Sequence, residues 1–328
     1  MKVLITGGTG FIGRMLVEKI LARAKLTGPS GKPETVDELV LFDAVLPPAL
    51  PKALQGHAKA VAGDVSDKVR IDALIDRPDM SVFHLASIVS AGGEQDFDLA
   101  LRVNLDGGRH ILEACRRLGS KPRLVFTSSI AVFGPPGMTS RVDDSTKQTP
   151  QTTYGVTKAI GELLVNDYTR KGYLDGRSAR LPTVIVRPGK PNKAASSFAS
   201  GVIREPLNGE PCHLPVALET VMPALGYRSI VENLIRLHEV PGEAIGADRA
   251  VSFPSLDLTV AEMIAGLKRV AGSRKLGPIE LKPDAEIQRI VAGWPTGTVW
   301  AKAKALGLVC DPDVDAIIRA YIEDFLTN

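Results

Sequence analysis

Cysteines, aromatic residues and long apolar runs are all scarce in this chain of 328 residues. The three cysteines, Cys115, Cys212 and Cys310, lie far apart and form no Cys-x-x-Cys pair or cysteine–histidine cluster, so we expect neither disulfides nor a metal site. No apolar run is long enough to cross a bilayer. The net charge of +3 is spread along the chain without a basic block, which argues against nucleic acid as a partner. These absences favour a cytoplasmic protein that acts on small molecules.

The order of predicted elements indicates the fold class. Short apolar runs end at glycine or polar residues, and helical patterns separate them; they lie at 2–6, 38–43, 58–63, 81–85, 123–127 and 183–187. Such alternation predicts an α/β protein with an open parallel sheet and helices on both of its faces. The alternation stops near residue 190. We therefore predict one domain over 1–189 and a smaller C-terminal α+β substrate domain over 190–328, with segments near 226–254 packing back on the first.

The turn after the first predicted strand is rich in glycine. Gly7, Gly10 and Gly13 give the spacing G-x-x-G-x-x-G between a strand and a helix. In a dinucleotide-binding turn, one glycine allows the tight bend, another lets the backbone approach the pyrophosphate, and the third lets helix and strand pack closely. The helix N-terminus then favours the phosphate charge. This context predicts a Rossmann-type, doubly wound domain rather than a glycine-rich turn without a ligand.

Carboxylates at the ends of the next two predicted strands indicate which dinucleotide binds. Asp43 can accept hydrogen bonds from the adenosine ribose, and its charge repels a 2′-phosphate, which favours NAD over NADP. The alternative for Asp43 is an ordinary turn residue at a strand end. Asp64 suits the exocyclic amine of adenine. His84 lies within an apolar strand, so we interpret it as a packed core histidine rather than a base.

The stretch Tyr154-Gly-Val-Thr-Lys158 places a phenol and an ammonium on one face of a predicted helix. A positive charge near a phenol lowers its pKa. A hydride-transfer enzyme needs a base that takes the hydroxyl proton of its alcohol substrate. Taken alone, such a pair is more often a surface tyrosine beside a solvated lysine, and the rest of the chain has to supply the context. Ser129 follows a predicted strand, where it would open onto the ligand crevice.

Together these motifs resemble the extended short-chain dehydrogenase/reductases, the NAD-dependent epimerase/dehydratase family. The resemblance is carried by the glycine turn, Asp64-Val65, His84-Leu85-Ala86, Asn104, Thr127-Ser128-Ser129, Tyr154-x-x-x-Lys158 and Arg187-Pro188-Gly189. It implies that Tyr154 is the catalytic base, that Lys158 lowers its pKa and holds the nicotinamide ribose, and that Ser129 binds the reacting oxygen, with Ser128 as the alternative serine. It also implies NAD contacts by Gly7, Gly10, Phe11, Ile12, Gly13, Asp43, Asp64, Val65, Leu85, Ala86, Ser87, Asn104, Thr127, Tyr154, Lys158 and Pro188.

A narrower resemblance is to the D-erythronate dehydrogenase subgroup, whose members oxidise the C2 hydroxyl of a four-carbon sugar acid. It rests on the stretches 87–90, 96–99, 102–107 and 187–192 and on 196–198. A small acid needs a cation for its carboxylate and several hydroxyl partners. Arg228 is the candidate cation, with a salt bridge at a helix start as its alternative. The candidate substrate contacts are Ser90, Ser129, Tyr154, Ser196, Ser197 and Arg228.

Two rival functions stay open at this point. One is a nucleotide-sugar epimerase or dehydratase that recycles a tightly held NAD. The other is an NAD-sensing protein without catalysis, although a sensor has no use for a tuned phenol. We interpret Trp294 and Trp300 as core residues rather than substrate contacts. The resemblance also implies a homodimer through helices near 98–118 and 154–172.

Overall fold

The computed structural model of the chain describes residues 1–135, 140–191 and 194–326. The strands, in chain order, are β1 Lys2–Thr6, β2 Lys25–Thr27, β3 Pro33–Thr35, β4 Glu38–Asp43, β5 Lys59–Ala62, β6 Met80–His84, β7 Arg123–Ser129, β8 Arg141–Val142, β9 Asp175–Leu181, β10 Thr183–Ile185, β11 Cys212–Leu214, β12 Val221–Gly226, β13 Ala250–Ser252, β14 Leu256–Thr259, β15 Ile279–Leu281 and β16 Gly297–Thr298. The helices are α1 Phe11–Arg23, α2 Lys68–Leu74, α3 Ser90–Gln95, α4 Phe97–Ala100, α5 Gly107–Leu118, α6 Thr153–Arg170, α7 Ser197–Leu207, α8 Tyr227–Glu239, α9 Gly242–Ile245, α10 Val260–Ala271, α11 Ala285–Ala292, α12 Ala301–Ala305 and α13 Val314–Phe325.

Seven parallel strands form the central sheet in the part of the chain described above, in the order β13-β9-β7-β6-β1-β4-β5. The direction of strand progression reverses between β1 and β6. In open α/β sheets, ligands bind in the crevice at the carboxyl ends of the strands at such a reversal. The prediction of a Rossmann-type parallel sheet is confirmed.

Side chains alternate between the two faces of this sheet and build two apolar cores. On one face, Val3 and Ile5 pack with buried residues of α1 and α8. On the other face, Leu4 packs with buried residues of α2, α5 and α6. Helices therefore cover both faces, as predicted. All five residues of β1 are buried, which explains why the three residues between Lys2 and Thr6 are all apolar.

The prediction of the sixth strand was wrong. We placed it at 183–187, but β9 occupies that position in the sheet, and β10 joins a separate sheet with β12 and β14. The sequence of β9 conceals a buried strand because it contains Arg177 and Arg180. Both side chains are buried, and each is neutralised by a carboxylate, at 2.5 Å from Asp175 and 2.7 Å from Glu162, respectively.

One other local prediction needs correction, and one local element was not predicted. Strands β2 and β3 form an antiparallel hairpin in a part of the chain where we predicted no strand. The helix predicted over 98–118 is interrupted by a π-helical stretch, Leu101–Asp106, in which Asn104 is buried. Stretches of this kind often occur at functional sites, because the wider turn re-aims a side chain.

The C-terminal part of the chain has an apolar core of its own. Buried side chains of α7, α10 and α13 pack there with residues of β11 and β12. Two elements from the same part of the chain belong to the first unit, since α8 packs on the central sheet and β13 forms its edge strand. The division of the chain at residue 189 stays a prediction.

Candidate active site

The three glycines of the first turn have separate structural tasks. Gly7 has φ of +68°, a conformation that costs other residues energy, and a Cβ atom on it would lie 2.9 Å from the amide nitrogen of Ala86. A Cβ atom on Gly13 would lie 2.4 Å from the carbonyl oxygen of Gly7, so Gly13 permits close packing of α1 on the turn. A Cβ atom on Gly10 would meet one atom only, the carbonyl oxygen of Gly7 at 3.1 Å. The turn thus leaves its backbone open beside the N-terminus of α1.

A cleft of about 550 Å³ lies at this turn, at the carboxyl ends of the central strands. It brings together eleven of the residues predicted to contact NAD, which are Gly7, Gly10, Phe11, Ile12, Gly13, Asp43, Asp64, Val65, Leu85, Ala86 and Ser87. Sequence reasoning missed other residues of its lining, which are Phe42, Ala44, Gly63, Ile88, Val89, Leu99, Val103, Val184 and Arg187. Most of these missed residues are apolar neighbours of the predicted ones. A dinucleotide with two flat rings and an anionic centre fits such a lining, which joins apolar walls to a helix N-terminus.

Asp43 lies at the end of β4, beside the glycine turn. Its carboxylate accepts hydrogen bonds from the amide nitrogen of Thr9 at 3.2 Å and from the Thr9 hydroxyl at 2.9 Å. These bonds fix the carboxylate at the rim of the cleft. A fixed negative charge at this point can accept hydrogen bonds from ribose hydroxyls and repels a phosphate.

Asn104 and Thr127 were predicted to contact NAD, but neither is among the residues that line the cleft. Asn104 accepts a hydrogen bond from the amide of Ile88 at 2.7 Å and donates one to the carbonyl oxygen of Ile88 at 3.0 Å. It therefore holds the segment that follows β6. The Thr127 hydroxyl donates to the carbonyl oxygen of His84 at 3.1 Å. Pro188, predicted to lie against the nicotinamide, is not among the residues that line the cleft.

Ser129 and Tyr154 meet in a second cavity of about 240 Å³, which adjoins the cleft. Ser129 ends β7, and its Oγ accepts a hydrogen bond from the amide of Ala131 at 3.1 Å. Tyr154 lies in the first turn of α6, whose N-terminus is capped by the Thr152 hydroxyl. The helix cap and the strand end thus aim a phenol and a hydroxyl into one cavity.

Lys158 lies one helical turn beyond Tyr154 and is 3% exposed. Its Nζ donates to the carbonyl oxygen of Thr127 at 2.8 Å and lies 5.5 Å from the centre of the Tyr154 ring. Burial lowers the pKa of Lys158 to about 7, although the charge of Glu162 opposes this shift. The ammonium is therefore poised to lose or keep its proton near neutral pH.

The predicted acidity of Tyr154 needs a correction. Burial raises the pKa of the Tyr154 phenol above its ordinary value, and a hydrogen bond with Ser129 opposes the shift. Burial is the larger effect, so the polypeptide alone does not make this phenol more acidic than a free tyrosine. The hydrogen bond with Ser129 is the contact that favours the phenolate here.

Ser128, the alternative to Ser129, points away from the cavity. It is 1% exposed, and its Oγ donates to the buried carboxylate of Glu162 at 2.5 Å. Glu162 also accepts hydrogen bonds from Arg180 and from Gln148. Ser128 thus belongs to a buried polar network that anchors α6 to the sheet, which leaves Ser129 as the serine that reaches ligands.

His84 is the packed core residue that the apolar strand pattern indicated. Its Nδ1 lies 2.7 Å from the Thr6 hydroxyl, and its ring is 3% exposed. Burial, with the nearby charge of Lys158, lowers the pKa of His84 to about 3. The ring is therefore neutral at physiological pH and would not serve as a proton acceptor there.

The substrate residues predicted from sequence divide into two groups. Ser90, Ser129, Tyr154 and Ser196 line the second cavity, whereas Ser197 and Arg228 are absent from its lining. Arg228 lies at the start of α8, where its guanidinium pairs with Glu323 at 2.9 Å and with Asp324 at 2.5 Å. Arg228 thus has the salt bridges at a helix start that we gave as its alternative, and they hold α8 against the last helix. Asn192, part of the stretch that suggested a sugar acid, lies outside the described residues.

Two of the lining residues that sequence reasoning missed bear on the chemistry of the cavity. Arg187, which we used only as part of a motif, lines both the cleft and the second cavity. Trp294, which we interpreted as a core residue, lines the second cavity and is half-buried. The signal that could have found Arg187 is its position: it lies two residues after β10, beside the predicted cofactor site.

The similarity of the chain to known proteins agrees with this site geometry. Residues 3–241 match the model of the NAD-dependent epimerase/dehydratase family. The chain belongs to this family, and it is an NAD-dependent oxidoreductase. No helix in the described residues is long and apolar enough to span a membrane.

Individual relatives are similar over nearly the whole chain. A D-erythronate dehydrogenase of Cupriavidus necator is 47% identical over 327 residues, which cover 99% of this chain and 98% of the relative. A D-erythronate dehydrogenase of Haemophilus influenzae is 39% identical over 323 residues, which cover 98% of this chain and 99% of the relative. A crystal structure described as the nucleoside-diphosphate-sugar epimerase from Agrobacterium tumefaciens is 39% identical, with a TM-score of 0.91 and coverage of 99% of this chain and 94% of that one.

Proposed function

We propose that this protein oxidises the C2 hydroxyl of a short sugar acid, D-erythronate or a close relative, to the 2-oxo acid with NAD. One observation supports this most strongly. Arg187 is the only charged residue in the described lining of the cavity that holds Ser129 and Tyr154. A cavity of about 240 Å³ with one cation and several hydroxyls suits a small polyhydroxy acid.

Arg187 is suited to bind a carboxylate. The described residues place no carboxylate against its guanidinium, and the positive charge of Arg204 lies near enough to lower its pKa further than burial alone does. Arg204 itself donates to the main-chain carbonyl of Arg187 and pairs with Glu205. An anion in the cavity would relieve the repulsion between the two arginines. The guanidinium offers two parallel N–H groups to a carboxylate, which would fix the orientation of the acid.

In the proposed reaction, Tyr154 takes the proton of the C2 hydroxyl while Ser129 donates a hydrogen bond to the same oxygen. Bound NAD would supply the acceptor for the hydride that leaves C2. Lys158, held by Thr127, contributes positive charge that favours the phenolate during proton transfer. Residues of the glycine turn together with Asp43 and Asp64 would hold the dinucleotide in the cleft.

Other substrate classes are less well matched. An amino acid would present an ammonium group, but the cavity lining has no carboxylate among the described residues. A nucleotide-sugar epimerase must hold a nucleoside diphosphate as well as NAD, and the cavity of about 240 Å³ leaves little room for one. A homodimer, which the family resemblance implies, and a cytoplasmic location, which the cysteine usage favours, are parts of the same proposal.

The test is the steady-state formation of NADH from D-erythronate, L-erythronate and the two threonates, with UDP-glucose and UDP-galactose as rival substrates. We expect net reduction of NAD with at least one tetronate and none with the UDP-sugars. Interconversion of UDP-sugars without net NADH would favour the epimerase instead. Tight binding of NAD without turnover of any substrate would favour the sensor.

A further inference from the structure

The cavity that contains Ser129 and Tyr154 has a neighbour of about 210 Å³ on the side away from the cofactor cleft. Three residues, Ala131, Thr152 and Trp294, line both cavities. They therefore form the boundary between the two spaces. Arg187 lies on the opposite side, since it is shared with the cofactor cleft.

Trp294 has the largest side chain of the three boundary residues. Ala131 and Thr152 are small, and both are fixed by main-chain contacts, through Ser129 and through the cap of α6. Trp294 follows α11, and its amide donates to the carbonyl oxygen of Val291 at 3.0 Å. Its indole packs against the core of the C-terminal part of the chain. The ring is thus held from one side and presents its other side to the two cavities.

The space behind Trp294 differs in character from the substrate cavity. Its lining includes the charged residues Glu94, Glu286 and Arg289. Such side chains can form hydrogen bonds with the hydroxyls of a longer carbon chain. Trp294 lines both this space and the cavity that contains Ser129 and Tyr154.

We propose that Trp294 limits the chain length of the sugar acid that the enzyme accepts. This inference rests on the proposed function. With the carboxylate at Arg187 and C2 at Tyr154, the far end of a four-carbon acid would meet the indole. A smaller residue at position 294 would join the two cavities, of about 240 and 210 Å³, into one space for five- and six-carbon acids.

The experiment compares kcat/KM for four-, five- and six-carbon aldonates with NAD in the wild-type protein, in Trp294→Ala and in Trp294→Leu. We expect both variants to raise the ratio of six-carbon to four-carbon kcat/KM at least tenfold. Trp300→Phe is the matched control. Trp300 packs against the other core and lines neither cavity in the described residues, so its replacement should leave the ratio unchanged.

The outcomes separate this inference from the proposed function. If the wild-type protein oxidises no aldonate, the proposed function fails. If it oxidises the four-carbon acid and both Trp294 variants lose activity equally on all chain lengths, the indole is only structural and this inference is overturned. Trp294→Leu keeps an apolar side chain next to α11. If Trp294→Ala fails to fold, the ratio of six-carbon to four-carbon kcat/KM in Trp294→Leu tests the inference instead.

Discussion

The Nζ atom of Lys158 lies 2.8 Å from the carbonyl oxygen of Thr127, so the strand that carries Ser129 also holds the ammonium beside Tyr154. This contact ties the three residues to one another through the sheet. A shift of α6 along β7 would move the phenol and the ammonium together. The geometry of the site therefore depends on the packing of one helix against one strand.

Lys158 should make stability depend on pH. Its folded pKa is about 7, below the ordinary value of 10.5, so between these pH values the unfolded chain binds more protons. The contribution of Lys158 to stability therefore rises with pH in this window, by at most about 1.4 kcal/mol per pH unit. Urea unfolding of wild type and Lys158→Met from pH 7 to pH 9.5 measures it. The free energy of unfolding of the wild type minus that of the variant should increase with pH. A difference that stays constant would contradict the lowered pKa of Lys158.

Tyr154→Phe should bind NAD normally and lose most of its turnover. The ring and its packing stay, but no group is left to take the substrate proton. General acid–base catalysis typically contributes about 10²- to 10⁴-fold, so kcat should fall by that factor. NADH fluorescence titration checks that the cofactor site is intact. Turnover close to wild type would refute the role of Tyr154.

Arg187→Met should raise KM for the sugar acid. Hydrogen bonds to charged groups contribute about 1.5–3 kcal/mol, which corresponds to an increase of roughly 10- to 100-fold. Arg228→Met is the matched control, because the ion pairs of Arg228 lie at the surface, outside the cavity lining. It should leave KM and kcat unchanged. An unaltered KM in Arg187→Met, or an increased KM in Arg228→Met, would reverse our assignment.

Asp43→Ser should weaken the preference for NAD over NADP. The substitution removes the charge that repels a 2′-phosphate, together with the bonds that Thr9 donates to the carboxylate. The measurement is the ratio of kcat/KM for the two cofactors. Asp64→Asn, at the end of the neighbouring strand, should lower affinity for both and keep the ratio. If the ratio changes only in Asp64→Asn, then Asp64 rather than Asp43 discriminates between NAD and NADP.

Glu162→Gln should destabilise the fold. The buried carboxylate pairs with Arg180 at 2.7 Å, and the substitution leaves that buried guanidinium only the more distant carboxylate of Asp144, at 3.9 Å, as a counter-charge. Breaking one partner of a buried ion pair costs about 3–5 kcal/mol. Lys68→Ala breaks the exposed pair with Asp72 and should cost less than about 1 kcal/mol. If urea unfolding shows that the two variants lose equal amounts of unfolding free energy, the result would argue against a buried network.

The amino-acid sequence by itself determined the parts of this protein whose physics is local. The glycine turn depends on backbone conformation and close approach within a few residues, and Tyr154 and Lys158 share a helix face because they are four positions apart. The unbroken apolar strands followed from burial on both faces, which requires no knowledge of the partner.

Only the tertiary structure decided the residues whose roles depend on distant partners. Strand β9 can bury Arg180 because Glu162 of α6 reaches it, and no periodicity within β9 reveals that partner. Arg187 and Arg228 are equivalent in sequence terms, yet one lines the cavity and the other pairs with Asp324. Which charges face a ligand and which face each other is set by how elements far apart in the chain pack together.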